Sequence, residues 1–216
     1  MKIESAEFIL SAMGRDQFPR DGRPEVAFVG RSNVGKSSLL NRLVQRKKLA
    51  RTGSTPGRTR AVNYFLINRR FYFVDLPGYG FAKAARTERQ RWAELMNDYF
   101  RSSEVGEDGF VLNKLLVQLI DGKVGATKLD IEAQTYFQDL GLERLFVATK
   151  IDKVSRSRRH KALRTIREQL AVPNSIPLVA FSATSGEGVQ ELWRGVQAFL
   201  RGDPSPTVHQ DSRKAQ

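Results

Sequence analysis

Short apolar runs alternate with helix-period segments along the 216 residues, and this alternation predicts an α/β fold. The expected architecture is a three-layer sandwich, a mostly parallel sheet with helices on both faces. Two further observations support it. A glycine-rich stretch, Gly30 to Ser37, stands between an apolar run and a helical pattern, which is the strand–loop–helix setting of a phosphate-binding loop. Hydrophobic residues make up 40% of the chain, enough for one full core at this length.

The elements follow in order. Residues 1 to 24 read as an N-terminal extension, ending in the connector Phe18-Pro19-Arg20-Asp21-Gly22-Arg23-Pro24. Val26 to Val29 is a short strand. Lys36 to Arg46 is a helix with Leu39, Leu40, Leu43 and Val44 on one side. Lys47 to Ala61 is a basic loop rich in Gly, Pro, Ser and Thr, long enough to carry function. Val62 to Ile67 and Phe71 to Val74 form a strand pair joined at Asn68-Arg69-Arg70. A helix spans Thr87 to Phe100, and Gly106 to Gly109 is a polar loop. Then come a buried strand (Leu115 to Ile120), a helix (Leu129 to Leu140) and a strand (Leu145 to Thr149). A basic helix (Ser155 to Leu170), a last strand (Leu178 to Phe181) and a last helix (Val189 to Leu200) complete the pattern. A single domain is expected over residues 25–201, followed by a disordered polar tail over 202–216.

Composition narrows the function classes. There is no cysteine, so disulfides and thiolate metal sites are excluded. His160 and His209 are too few and too far apart for a zinc site. The first residues carry two acids, Glu4 and Glu7, and no long apolar run, which argues against a signal peptide. No stretch reaches the roughly 18 apolar residues of a membrane span, so a cytoplasmic protein without a membrane partner is expected. Net charge is +13, and its distribution is uneven. Val26 to Val74 holds eleven Lys or Arg and no acid, and Lys153 to Arg167 holds seven more and again no acid. Such runs favour a polyanion, above all nucleic acid, over a merely solvated face.

Four separated segments each make sense as part of a guanine-nucleotide site. Gly30-Arg31-Ser32-Asn33-Val34-Gly35-Lys36-Ser37 matches G-x-x-x-x-G-K-S. Its backbone N–H groups are expected to cradle the β-phosphate, Lys36 to reach the β- and γ-phosphates, and the Ser37 hydroxyl to ligate Mg²⁺. Together these features give the fold its name, a P-loop NTPase. Asp75-Leu76-Pro77-Gly78 closes a strand; Asp75 can hold Mg²⁺ through water, and the Gly78 N–H can register the γ-phosphate. A second Mg²⁺ ligand is expected from the long loop, where Thr52, Thr55 and Thr59 compete. Thr149-Lys150-Ile151-Asp152 follows a strand. The Asp152 carboxylate matches two donors present on guanine and absent from adenine, and the Lys150 stem can cover the base. Phe181-Ser182-Ala183 comes after the next strand, with the Ala183 N–H set for guanine O6.

With these segments in view, the chain resembles the EngB (YihA/YsxC) family of bacterial GTPases over roughly residues 25–200. The most specific matches are Gly30 to Ser38, Lys47-Lys48-Leu49-Ala50-Arg51, Thr55-Pro56-Gly57-Arg58-Thr59 and Phe73 to Gly80. The resemblance implies that Thr59 is the second Mg²⁺ ligand, within a nucleotide-binding segment Gly57-Arg58-Thr59-Arg60-Ala61. It implies GTP hydrolysis to GDP, with Lys36, Thr59, Gly78 and Asn33 as the catalytic set. It also implies a monomeric switch that acts on the large ribosomal subunit or its rRNA-containing precursor, and that is needed for cell division and septation. The chain departs from the family at Asp121-Gly122-Lys123, where Asp-x-Arg is usual, and this departure is expected to affect surface contacts only.

Hydrolysis poses a separate question. Many GTPases orient the attacking water with a Gln after the glycine of the second motif. Here Tyr79 stands there, so slow intrinsic turnover is expected. Asn33 resembles the asparagine that ligates K⁺ in some relatives, with a turn residue as the plainer alternative. An RNA-binding scaffold that holds GTP with negligible turnover is the competing function.

Overall fold

The computed structural model describes residues 1–46, 49–50, 61–80, 86–101 and 114–202. Among the described residues seven strands form one sheet in the order β1-β3-β4-β2-β5-β6-β7. They are β1 (Ala6–Ala12), β2 (Glu25–Gly30), β3 (Val62–Ile67), β4 (Phe71–Asp75), β5 (Lys114–Asp121), β6 (Glu143–Thr149) and β7 (Leu178–Ala180). β4, β2, β5, β6 and β7 run parallel, while β1 and β3 are antiparallel to their neighbours. The helices are α1 (Lys36–Leu43), α2 (Arg86–Arg101), α3 (Lys128–Gln138), α4 (Arg156–Gln169) and α5 (Val189–Arg201).

Helices cover both faces, which is why β2 and β5 are buried at every position rather than alternating. On one face Leu39, Leu40 and Leu43 of α1 and Leu192, Val196 and Phe199 of α5 pack on Phe28, Phe73, Val117 and Val147. On the other, Met96, Tyr99 and Phe100 of α2 and Phe137 of α3 meet Val74 and Leu116. Beneath α4, Ile166 and Leu170 close over Ile120 and Phe146 on that same side. β5 therefore feeds both layers, Leu115, Val117 and Leu119 to one and Leu116 to the other.

Three expectations change. The segment before residue 25 contains β1, an edge strand paired to β3 with a register shift between Phe8 and Leu10. It carries no clean alternation because Phe8 and Ile9 both stay exposed. Asn68, in the β3–β4 turn, ties it down by accepting from the Glu4 and Ser5 N–H groups and donating to the Lys2 carbonyl. The first helix stops at Leu43, earlier than the expected Arg46, with Gln45 at positive φ. A 3-10 turn, Ile151–Lys153, occupies the middle of the third motif. The expected polar loop Gly106 to Gly109 and the tail from 203 onward lie outside the described residues.

Because the five strands are parallel, their C-terminal ends gather at one edge of the sheet, where ligands of open α/β sheets bind. Gly30, Asp75, Asp121, Thr149 and Ala180 all end strands there.

Candidate nucleotide site

The loop after β2 is shaped by its backbone. Asn33 and Gly35 take positive φ, 64° and 105°. Gly35 caps α1, with no side chain supplying a cap hydrogen bond. The orphan N–H groups of that helix terminus are thus left to a ligand, the arrangement that favours phosphate. Lys36 Nζ is ion-paired with Asp75 Oδ1 from the neighbouring strand end. The lysine expected at the phosphates and the carboxylate expected near Mg²⁺ are therefore together, and both are largely buried. Ser37 sits next to them in the first turn of α1.

The second motif is fastened directly to the first. The Leu76 N–H donates to the Phe28 carbonyl at 3.1 Å, and the Tyr79 N–H to the Gly30 carbonyl at 3.2 Å. The Ser32 N–H returns a bond to the Tyr79 carbonyl at 3.2 Å. Gly78 lies inside this seam. A Cβ there would come within 2.9 Å of the Gly30 carbonyl oxygen, so no larger residue fits without opening the loop. Leu76 and Pro77 are buried alongside.

Tyr79 turns inward. Its hydroxyl donates to Asp130 Oδ1 at 2.9 Å and accepts from Gln118 Nε2 at 3.3 Å. Its ring meets the edge of Trp92, whose indole N–H holds the Pro77 carbonyl. Asp130 is itself fixed as a capping box with Thr127 at the start of α3, with Arg31 Nε 3.8 Å away. Burial, then the Asp130 charge, pushes the phenol well above its ordinary range. The residue in the usual glutamine position is a neutral structural anchor.

The base side is equally well tied. The Thr149 hydroxyl lies 2.7 Å from the Val34 carbonyl and 3.1 Å from that of Ile120. Lys150, at φ 54°, sends Nζ to the Asn33 carbonyl and to Asp121 Oδ2, both at 2.7 Å. Asp121 also accepts from the Lys123 and Val124 N–H groups. Burial pushes its carboxyl up, but Lys150 and the two amides outweigh this and leave it below its ordinary value. Lys123, the residue that departs from the family pattern, is exposed, while Asp121 beside it is buried and anchors Lys150. Nothing in the spacing signals it; the register that pairs Asp121 with Thr149 across β5 and β6 brings the two motifs together.

Ile151 is buried and its N–H donates to the Phe181 carbonyl at 3.1 Å, which locks the third motif onto the fourth. Asp152 is exposed, with no bonding partner among the described residues. Ser182 is buried, its N–H donating to the Glu187 carbonyl and its hydroxyl accepting from the Ser185 N–H. Ala183 follows, half-buried. Ala61 is half-buried just before β3, while Gly57, Arg58, Thr59 and Arg60 lie outside the described residues. Tyr79, Gln118 and Asp130 form a network that no motif announces.

Residues 25–150 match a family model described as 50S ribosome-binding GTPase. The chain is 42% identical to a probable GTP-binding protein EngB of Geobacillus kaustophilus, over 93% of this chain and 99% of that one. It is 48% identical to a probable GTP-binding protein EngB of Pelotomaculum thermopropionicum, over 89% and 93%. Among solved structures, a crystal structure of a probable GTP-binding protein engB matches with TM-score 0.63 and 21% identity, covering 82% of this chain and 99% of that one. Era in complex with MgGDPNP and nucleotides of 16S ribosomal RNA matches with TM-score 0.59 and 24% identity, over 82% and 56%. These two structural likenesses speak for the fold.

Proposed function

The chain belongs to the EngB family of GTP-binding proteins and is a GTPase, and from that premise we propose that it is a cytoplasmic switch acting on the large ribosomal subunit during its assembly. The observation that carries this reading is the sorting of charge on α4. Arg159 is spent on both Glu187 carboxylate oxygens and the Val154 carbonyl. Arg167 is spent on the carbonyls of Val172, Pro173 and Ile176. Arg164 pairs with Glu168. Arg156, Arg158 and Lys161 remain exposed with no acidic partner among the described residues. Three free cations on one helix suit a phosphate backbone and do nothing for the fold. Among the described residues no helix is long and apolar enough to cross a membrane. The part in cell division and septation that the family resemblance implies belongs to the same proposal.

GTP is the ligand of the four motifs. The residues fit Mg²⁺ through a hydroxyl, Ser37, with Asp75 reaching it through water; Thr59 completes the proposed set. A hard cation takes such oxygen donors and shares phosphate oxygens. When bound, it would neutralise charge on the β- and γ-phosphates. Among the described residues no three His, Asp or Glu side chains cluster as a metal site, and the proposed set leaves the remaining ligands to the phosphates and water. Asn33, at positive φ with its carbonyl held by Lys150, is the proposed K⁺ contact.

The test is co-sedimentation with large-subunit particles in the presence of a non-hydrolysable GTP analogue or GDP. The switch reading expects stronger association with the analogue. Charge reversal at Arg156, Arg158 and Lys161 should weaken association and flatten its salt dependence, with GTP affinity intact. Equal association in both nucleotide states would favour the scaffold reading instead.

A further inference from the structure

We propose that Asp130, at the start of α3, is a positioning residue: through the Tyr79 hydroxyl it keeps the second motif docked on the phosphate loop, and so makes the protein favour GTP over GDP. A helix cap does not require all that Asp130 does. Its Oδ2 alone serves the capping box, accepting from the Thr127 N–H at 2.8 Å and from the Thr127 hydroxyl at 2.7 Å. Its Oδ1 is left over and takes the Tyr79 hydroxyl at 2.9 Å. The carboxylate is 1% exposed, and burying a charge is costly unless it is paired and hydrogen-bonded. Gln118 joins the two residues from β5. Its Nε2 donates to the Tyr79 hydroxyl oxygen at 3.3 Å and to the Asp130 carbonyl at 3.2 Å.

The segment held in this way carries Gly78, the residue before Tyr79. Main-chain bonds stitch Tyr79 to Gly30 and Ser32. The Trp92 indole N–H donates to the Pro77 carbonyl at 3.0 Å. Leu129, the neighbour of Asp130, lies so near Gly80 that a Cβ there would come within 2.8 Å of its Cδ1. Of these holds the Asp130 bond alone is charge-assisted, and such bonds are roughly twice as strong as neutral ones. Losing it leaves a docked state supported by neutral bonds and packing. A docked second motif matters to a ligand that touches it and not to one that does not. The terminal phosphate of GTP would touch it through the Gly78 N–H, and GDP has no group to do so. Asp130 thus acts from the protein interior, through another side chain, on the choice between the two nucleotides.

The inference rests on the reading of Gly78 as the γ-phosphate contact and not on the ribosomal reading. Its test uses the full-length protein with Tyr79→Phe, Asp130→Ala and both together, each titrated with a non-hydrolysable GTP analogue and with GDP. Tyr79→Phe removes the hydroxyl and keeps the ring against Trp92. It should weaken the analogue about tenfold while GDP stays within about twofold. Asp130→Ala also strips the capping box of α3, so its melting temperature should fall, but its analogue-to-GDP ratio should match that of Tyr79→Phe. The double variant should lose no more of the ratio than either single one, because the two residues act through one bond. In single-turnover hydrolysis by Tyr79→Phe, the half-saturating GTP concentration should rise about tenfold with the rate at saturation within about twofold, since saturating GTP redocks the motif. An unchanged ratio in Tyr79→Phe, or additive losses in the double variant, overturns the proposal. So does equal weakening of both nucleotides, the mark of a merely structural bond. Gly78→Ala should lose the preference for the analogue as well. If it kept the ratio of the unmodified protein, the Gly78 reading itself would fall, which is a distinguishable result.

Discussion

Each end of the sheet holds a lysine–carboxylate pair, and the two differ in what surrounds them. At the ligand end Lys36 meets Asp75 in a glycine-lined loop whose helix terminus has uncapped N–H groups. At the other end Lys114 lies 3.8 Å from Glu25, both nearly free of solvent contact. There Tyr99 donates to Glu25, while Lys114 donates to the Tyr99 carbonyl and sits 4.0 Å from the centre of its ring. The first pair stands beside open backbone donors, where the proposed phosphate would compete for the lysine. The second is sealed by aromatic side chains and belongs to the folded state alone. The same residue types serve binding or architecture according to whether backbone donors beside them are left open.

Substitution should separate the two ends. The largest effect is expected at Lys114→Ala, which leaves Glu25 charged and buried; about 3–5 kcal/mol of stability should be lost in denaturant unfolding. Nucleotide affinity in the surviving folded protein should not change. At the other end Lys36→Ala should weaken GTP about a hundredfold by equilibrium titration, from the loss of a charge-assisted contact to phosphate. A large loss of stability there with unchanged affinity would erase the contrast. Asp121→Ala should cost GTP and GDP alike about tenfold, because Lys150 would lose the carboxylate that holds its stem over the base.

A pH series gives a smaller, finer distinction. Burial lowers Lys114 from 10.5 to about 8, against the opposing pull of Glu25. Between about pH 8 and pH 10 the unfolded chain holds a proton that the folded chain has shed, so stability should rise with pH in that window. Lys114→Met should lack the rise. Further up, Tyr99, whose phenol burial raises well above 10.0, should reverse it, since the unfolded chain then loses its proton first. Smallest of all is the ion effect: single-turnover hydrolysis should run faster in KCl than in NaCl at equal ionic strength, and Asn33→Ala should abolish the difference. Identical rates in both salts for both proteins would remove K⁺ from the account.

The sequence legibly carried what local chemistry dictates. Strand β2, the glycine loop and α1 were readable because a phosphate loop needs glycine at positive φ and a helix to follow. β3 and β4 were readable from two apolar runs around a three-residue turn, and their bounds differ from those expected only at Asp75. β1 was not, since an edge strand with Phe8 and Ile9 exposed has no period to detect. The Lys150–Asp121 pair and the Tyr79–Asp130 pair were hidden for another reason. They join residues 29 and 51 positions apart; the β5–β6 register brings the first pair together, and the packing of α3 beside the second motif brings the second. Tyr79 illustrates the limit: sequence shows which group is missing from its position, and packing shows where the tyrosine went.

The central claim is a guanine site whose base is read by Asp152, the exposed carboxylate that follows buried Ile151. Competition of GTP, ATP and xanthosine triphosphate against a labelled GDP analogue tests it most directly, on the unmodified protein and on Asp152→Asn. The account predicts strong preference for GTP over ATP, and in the variant a weakened GTP with xanthosine triphosphate now favoured. Equal affinity of the unmodified protein for ATP and GTP, or an unaltered preference in Asp152→Asn, would contradict it.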